Sequence, residues 1–187
     1  MALVNTVIQA TLLSMFSNIL AQILDSYQKN TSLSINFTPV LHFAVYAALS
    51  TPINVGWQDW LENTFPSKRP STANQSNSHE KANVPEPTHD GALHILNTFT
   101  KFVLDQTVGA LFNIPLFIGI IGALKGQSME HILGKIQEDS FDIYFSGMKL
   151  WPPVSLVSYV FVPPEHRVIF GSIAGVIWNI YLSLMAR

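Results

Sequence analysis

Four long stretches of the chain contain no Asp, Glu, Lys or Arg, and this absence of charge constrains the fold more than any other feature. They are residues 1–24, 30–58, 106–124 and 168–186. At about 1.5 Å per helical residue, even the shortest reaches roughly 28 Å, close to the thickness of bilayer hydrocarbon. A large soluble helical protein can also bury apolar helices, but 187 residues could hardly cover four of them. We therefore predict an integral membrane protein.

The composition narrows the chemistry that the chain can perform. Charged residues make up 12% of it, and the net charge of -2 gives no attraction to nucleic acid. The absence of cysteine excludes disulfides, thiol nucleophiles and thiolate metal sites. The six histidines show no metal-ligand spacing on one helix face, and no Ser-His-Asp arrangement stands out. We predict no enzyme activity, no cofactor, no metal site and no nucleic-acid partner.

The apolar runs predict an all-α fold, an integral membrane bundle of four transmembrane helices. The spans are expected at about 2–24, 38–58, 93–124 and 151–186. Neutral amides in the first span need partners in hydrocarbon, so one side of it should face protein. Between the second and third spans, residues 62–90 are rich in Pro, Ser, Asn and charge, which predicts a flexible polar loop.

The fourth span is expected to be interrupted. Residues 150–164 are uncharged but too short for a straight crossing, and Pro163 and Pro164 remove two amide donors. This predicts a half-helix, a break near 163–164 and a final crossing. Before it, residues 128–149 mix apolar and charged side chains at roughly helical spacing, which suits one or two short amphipathic helices on the membrane surface.

Charged residues near the spans leave alternatives open. Glu165, His166 and Arg167 follow the proline pair, either as part of a polar site at a helix break or as a marker of the water interface. Lys101 and Asp105 are one helical turn apart and could neutralise each other, which would make Asp105 purely structural. Arg167 is the other expected partner of Asp105, across the bundle.

Glycine spacing predicts close helix contacts. Gly122 and Gly126, and Gly171 and Gly175, have the small-xxx-small spacing that lets two membrane helices approach. This pattern supports a compact bundle without fixing an oligomeric state.

Over the C-terminal half, five groups of residues occur in an order that resembles a known family. They are Leu104-Asp105-Gln106, Gly122-Ala123-Leu124-Lys125-Gly126, Leu150-Trp151-Pro152, Val162-Pro163 with Arg167, and Ile177-Trp178-Asn179-Ile180-Tyr181-Leu182-Ser183. The set is similar to the four-span family that joins the 22-kilodalton peroxisomal membrane protein and the MPV-seventeen protein of the mitochondrial inner membrane. The variable parts resemble fungal members.

Upstream the resemblance is weaker, and two departures stand out. Ser17-Asn18 occupies the place where Gly-Asp is usual, which removes a buried carboxylate. Gly109-Ala110-Leu111 stands where many members carry a proline, and Pro115 comes later. Five residues are taken as structural parts of the family motif: Trp151, Pro152, Pro163, Trp178 and Tyr181.

The resemblance implies a non-enzymatic organelle membrane protein that lets small solutes or metabolites cross as a channel or pore. Its expected partners are the lipid bilayer, small solutes and, through self-association or recruitment, organelle membrane proteins. The peroxisomal membrane is favoured because the first 24 residues lack presequence character, with the mitochondrial inner membrane as the alternative. A second hypothesis is a non-transporting anchor or sorting protein that recruits partners for peroxisome organisation.

A channel would need a polar path, and the spans supply candidates for it. Asp105 is the first of them, because a carboxylate near hydrocarbon is costly unless it is paired or wet, and it would set cation preference or gating. The other candidates are Gln9, Asn18, Gln22, Gln106, Asn113, Arg167 and Asn179. The open alternative is that these amides only bind the helices together.

Overall fold

The computed structural model describes residues 2–67 and 93–185, and the chain in these ranges folds into helices. The helices are α1 (Ala2–Gln28), α2 (Phe37–Thr64), α3 (Ile95–Leu104), a π-helical turn (Asp105–Gly109), α4 (Ala110–Leu124), α5 (Met129–Gly147), α6 (Trp151–Phe161), a 3-10 turn (Pro164–His166) and α7 (Arg167–Met185). The predicted all-α class is confirmed. Most of the predicted polar loop, residues 68–90, lies outside the described residues.

Within residues 2–67 and 93–185, two helical stretches are long and apolar enough to cross a bilayer. They are Leu3–Gln28 and Ile95–Leu124, with mean hydropathies of 1.6 and 2.0. Only 17% and 22% of their most apolar windows are buried inside the protein, whereas the core helix of a soluble protein would be mostly buried. Large apolar side chains such as Phe16, Leu111 and Phe112 lie exposed on them. Crossings by α2 and by the α6–α7 segment stay predictions.

Side-chain contacts show how the helices run past one another. The start of α2 meets the end of α1, where the Gln22 amide bonds the backbone of Asn36, and Ser14 donates to the carbonyl of Phe43. Phe43 also lies edge-on to Phe117 of α4, with ring centroids 6.0 Å apart. Since Trp57, late in α2, reaches the beginning of the π turn, α2 is antiparallel to both neighbours.

The helix break falls at residues 162–166. Val162 ends α6 in an extended conformation, and the proline pair leads into the 3-10 turn before α7 begins at Arg167. Upstream, α5 is a single helix of 19 residues. Its buried Ile132 contacts α4, while Met129 and Phe141 are exposed, as the amphipathic pattern predicts.

The glycines of the two predicted contact pairs behave differently. A Cβ on Gly122 would lie 2.7 Å from Ile132 Cγ1, so this glycine permits the close approach of α4 and α5. Gly126 instead ends α4, with a φ of +69° that favours glycine. The expected contact at Gly171 and Gly175 is not formed within the described chain, since a Cβ at either position would meet nothing within 4 Å.

Candidate functional site

Near the end of α2, four residues form a buried ionic group that we call the Glu62 cluster: Glu62, Ser67, Lys101 and Arg167. Lys101 Nζ and Arg167 Nη1 each lie 2.6 Å from the same oxygen, Glu62 Oε2. The Ser67 amide donates to Glu62 Oε1 at 2.7 Å, and its hydroxyl donates to Oε2 at 2.9 Å. Lys101 and Arg167 also donate to the Ser67 hydroxyl. One carboxylate therefore binds two cations that are almost fully buried, at 0% and 4% exposure.

Local structure explains why these residues meet. Chain direction changes at Phe65-Pro66 after α2, which turns Ser67 back onto Glu62. Arg167 begins α7 directly after the proline pair, and its Nε donates to the Val162 carbonyl at 3.2 Å. That carbonyl is near the helix break, so the arginine satisfies a backbone group there, as expected of a charged residue beside a broken helix.

The cluster keeps its carboxylate ionised. Burial alone would raise the pKa of Glu62, but hydrogen bonds from Lys101, the Ser67 amide and Arg167 outweigh it and lower this pKa from 4.5 to about 2.

Tyr159 of α6 packs its ring against both cations of the Glu62 cluster. Its ring centroid lies 5.3 Å from Lys101 Nζ and 5.0 Å from Arg167 Cζ, within the range of a cation–π contact. Its hydroxyl accepts a hydrogen bond from Gln58 Nε2 at 3.2 Å. Tyr159 is only 2% exposed, and it connects the Glu62 cluster to a second polar group.

We call this second group the Asp105 network. Ser155 Oγ donates to Asp105 Oδ2 at 2.6 Å, and Trp57 Nε1 donates to Oδ1 at 3.2 Å. Gln58 Nε2 is 3.4 Å from the same Oδ1, and Gln106 Nε2 donates to Ser155 Oγ at 2.9 Å. Asp105 is thus held by donors from α2 and α6, and with Tyr159 the two groups form one continuous polar site.

The π turn shapes this network. Asp105 begins the turn and Gly109 ends it. A Cβ on Gly109 would lie 3.4 Å from both Asp105 Oδ1 and Trp57 Nε1, so glycine leaves room for this hydrogen bond. Asn113 Nδ2 then donates to the Gly109 carbonyl at 3.1 Å. π-helical turns are rare in proteins, and those that occur are frequently found at functional sites.

The structure corrects both expected partners of Asp105. Lys101 and Arg167 form their ion pairs with Glu62, and Asp105 bonds neutral donors. Glu62 takes the place of Asp105 as the partner of both cations, because the Ser67 amide and hydroxyl hold its carboxylate between them. Sequence reasoning missed Glu62, which it assigned to the polar loop. Lys101 and Arg167 lie in or beside apolar runs, where a cation needs a negative partner. That need was the signal in the sequence that could have pointed to Glu62.

The predicted polar-path residues do not all come together. Gln106 and Arg167 share the site with Asp105, and Asn113 lies one turn beyond it. Asn18 and Gln22 bond each other at 2.9 Å near the start of α2. Along α2 that is about 30 Å from the Asp105 network, at 1.5 Å per residue. The side chains of Asn179 and Tyr181 lie outside the described residues, and Gln9 is exposed.

The motif residues lie at helix ends and packing points. Trp151 and Pro152 begin α6, and Pro163 lies in the break. A Cβ on Gly147 would lie 3.0 Å from Trp151 Cδ1, so this tryptophan packs closely on the end of α5. Trp178 is partly buried in α7. Across residues 2–67 and 93–185, no three His, Asp or Glu side chains are grouped as metal ligands would be.

Comparisons with known proteins agree with the ordered motifs. Residues 122–183 match the Mpv17 / PMP22 family. Over 93% of the chain and 78% of the relative, the sequence is 29% identical to PXMP2/4 family protein 3 of Dictyostelium discoideum. It is 38% identical over 46% of the chain to the mitochondrial inner membrane protein Mpv17 of Danio rerio. The chain is therefore similar to the Mpv17 / PMP22 family, with the family match over residues 122–183.

The family match covers part of the polar site. Ser155, Tyr159 and Arg167 fall within residues 122–183, whereas Glu62 and Asp105 precede them. The human Mpv17 protein is 34% identical over 49% of the chain. The chain spans about half the length of the Mpv17 relatives from fish and human. No solved structure matches the chain.

Proposed function

We propose that the chain is a channel-like permeability protein of an organelle membrane, with the polar site as its constriction. One observation carries this proposal: two carboxylates and two cations are connected through Tyr159 inside a bundle whose outer surfaces are apolar. Charged side chains inside a membrane-spanning bundle are costly, and in membrane proteins they mark solute or ion pathways.

In the described conformation the constriction is closed, because the side chains bond one another. Passage of a small solute requires α6 to separate from α2 and the π turn, which breaks the hydrogen bonds of Ser155 and Gln58. Asp105 then faces the solute. Its donors are neutral, so its negative charge is not cancelled by a direct ion pair and favours cations.

The test is solute flux through liposomes that contain the purified chain. Asp105→Asn keeps the size of the side chain and removes its charge, so it should lower cation selectivity. Asp59→Asn is the matched control, because Asp59 is an exposed carboxylate of α2, two residues after Trp57. Equal conductance and selectivity of Asp105→Asn and the unmodified chain would contradict the role of Asp105.

The same contacts favour a second candidate, a membrane anchor or sorting protein without transport. Buried polar groups that satisfy one another are what a static clamp between helices requires. Under this proposal the segment after Ser67 or the surface helix α5 recruits partners. Deletion of Lys68 to Glu86 that abolished partner recovery while flux stayed normal would favour this candidate over the channel.

We place the protein in the peroxisomal membrane, with the mitochondrial inner membrane as the alternative. The relatives support both, since they include PXMP2/4 family proteins and proteins named for the mitochondrial inner membrane. Imaging of the tagged chain against markers of both organelles decides between them. We also propose that the protein is not an enzyme, because the Ser155 and Ser67 hydroxyls are hydrogen-bonded to charged groups that connect the helices to one another.

A further inference from the structure

At the opposite end of the bundle from the polar site, a groove opens between the start of α2 and the end of α4. Its volume is about 270 Å³. Pro39, His42 and Phe43 line it from α2, and Ile121 of α4 and Lys125, directly after α4, line its other side. Typical small-molecule sites measure about 300–1,000 Å³, so this groove fits part of a larger molecule.

The charged and polar groups of the groove favour an anion. Lys125 supplies an ammonium group, and the His42 ring adds nitrogens that take part in hydrogen bonds. Among the described residues that line the groove, none has a carboxylate. A phosphate group held by a lysine is a common arrangement, since an ammonium binds it as a point charge.

The floor of the groove favours hydrocarbon. Phe43 and Ile121 present apolar surface, and Phe43 is backed by the ring of Phe117 at 6.0 Å. A free phosphate compound would use Lys125 and leave this surface wet. A molecule with an anionic head and an apolar chain uses both parts of the groove.

The position of the groove also fits a lipid. Lys125 directly follows Leu124, the last residue of the second candidate span, so its ammonium lies at headgroup depth. Phe43 and Ile121 lie further into the bundle, on the side of the acyl chains. Head and chain of a bilayer lipid therefore meet the matching parts of the groove.

We propose that this groove binds one anionic glycerophospholipid, with the phosphate at Lys125 and the first part of an acyl chain along Phe43 and Ile121. The proposal goes beyond permeability and rests only on the bilayer placement of the chain. A bound lipid would hold α2 and α4 together at the end remote from the polar site.

Native mass spectrometry of the full chain, purified in detergent, stripped of lipid and titrated with dioleoylphosphatidylglycerol, tests the proposal. Lys125→Gln should weaken binding by roughly tenfold, because it removes one charge-assisted contact. The Lys29→Gln variant should bind the lipid with an affinity within about twofold of that of the unmodified chain. Lys29 is an exposed lysine at the same end of the bundle, outside the groove. Equal weakening by both variants would overturn the proposal.

Two further measurements keep the result specific. Ile121→Trp should fill the groove and abolish lipid binding, and circular dichroism checks that this variant folds. If Ile121→Trp fails to fold, the comparison of the two exposed lysines decides alone. Displacement of the lipid by inorganic phosphate would overturn the lipid assignment in favour of a free phosphate compound. The Asp105→Asn variant should bind the lipid as the unmodified chain does. A failure of the channel proposal can therefore be told apart from a failure of the lipid proposal.

Discussion

Replacing Glu62 with glutamine tests the Glu62 cluster most severely. The substitution keeps the size of the side chain but leaves Lys101 and Arg167 without a negative partner. Their side chains are 0% and 2% exposed, so water cannot replace the carboxylate. Loss of one partner from a buried ion pair typically costs about 3–5 kcal/mol.

The pKa of Glu62 gives an independent magnitude. A carboxyl held at about 2 instead of 4.5 corresponds to about 3 kcal/mol of stabilisation of the folded state. Because the folded-state pKa is the lower one, this contribution is present above pH 4.5 and is lost as the pH falls toward 2. Both arguments therefore predict that Glu62→Gln lowers the free energy of unfolding by about 3 kcal/mol at neutral pH.

The assay is reversible unfolding in mixed detergent micelles, with helix content followed by circular dichroism. Asp59→Asn is the control, and this exposed substitution should change the free energy by less than about 0.5 kcal/mol. The difference between Glu62→Gln and the unmodified chain should shrink between pH 4.5 and pH 2. A loss below about 1 kcal/mol at pH 7, or a difference independent of pH, would refute the reasoning.

Three further predictions concern packing and connection, and the same unfolding assay measures all of them. Gly122→Val should destabilise the protein by about 1–3 kcal/mol, because its Cβ would meet Ile132 at 2.7 Å. Gly171→Ala, where a Cβ meets nothing, should be neutral or stabilising. Equal effects of the two substitutions would contradict this packing. Tyr159→Leu should cost more than Tyr159→Phe, since phenylalanine keeps the ring over both cations; the reverse order would exclude the cation–π contacts. Replacement of residues 69–91 by a short glycine linker should retain the fold, because the His94 amide already donates to the Ser67 carbonyl at 2.8 Å; loss of the folded state would show that the segment is needed.

The sequence predicted the helices better than it predicted their partners. Absence of charge over four runs is a local property, and α1, α2, the α3–α4 stretch and α7 each contain most of one such run. The break before α7 was predictable because proline removes amide donors whatever surrounds it. Whether α2 and α7 cross the membrane depends on lipid contacts, which local hydropathy leaves open.

The polar site was predictable only in part. Asp105, Gln106 and Arg167 were identified because each is a polar residue in or beside an apolar run. Their partners depend on contacts between distant residues, such as Glu62 with Arg167, 105 positions apart. At the π turn, Trp57 of α2 lies beside Gly109, and no local pattern specifies that contact. Ser155 and Tyr159 were missed because serine and tyrosine are ordinary residues in a short apolar helix.

The most direct test of the permeability proposal is to lock the polar site. The chain has no cysteine, so Gln106→Cys with Ser155→Cys introduces the only two thiols, at positions whose side chains are now hydrogen-bonded. In liposomes, a short reducible thiol crosslinker between them should stop small-solute flux, and reduction should restore it. Flux that is the same in the crosslinked and the reduced protein would contradict passage through this site.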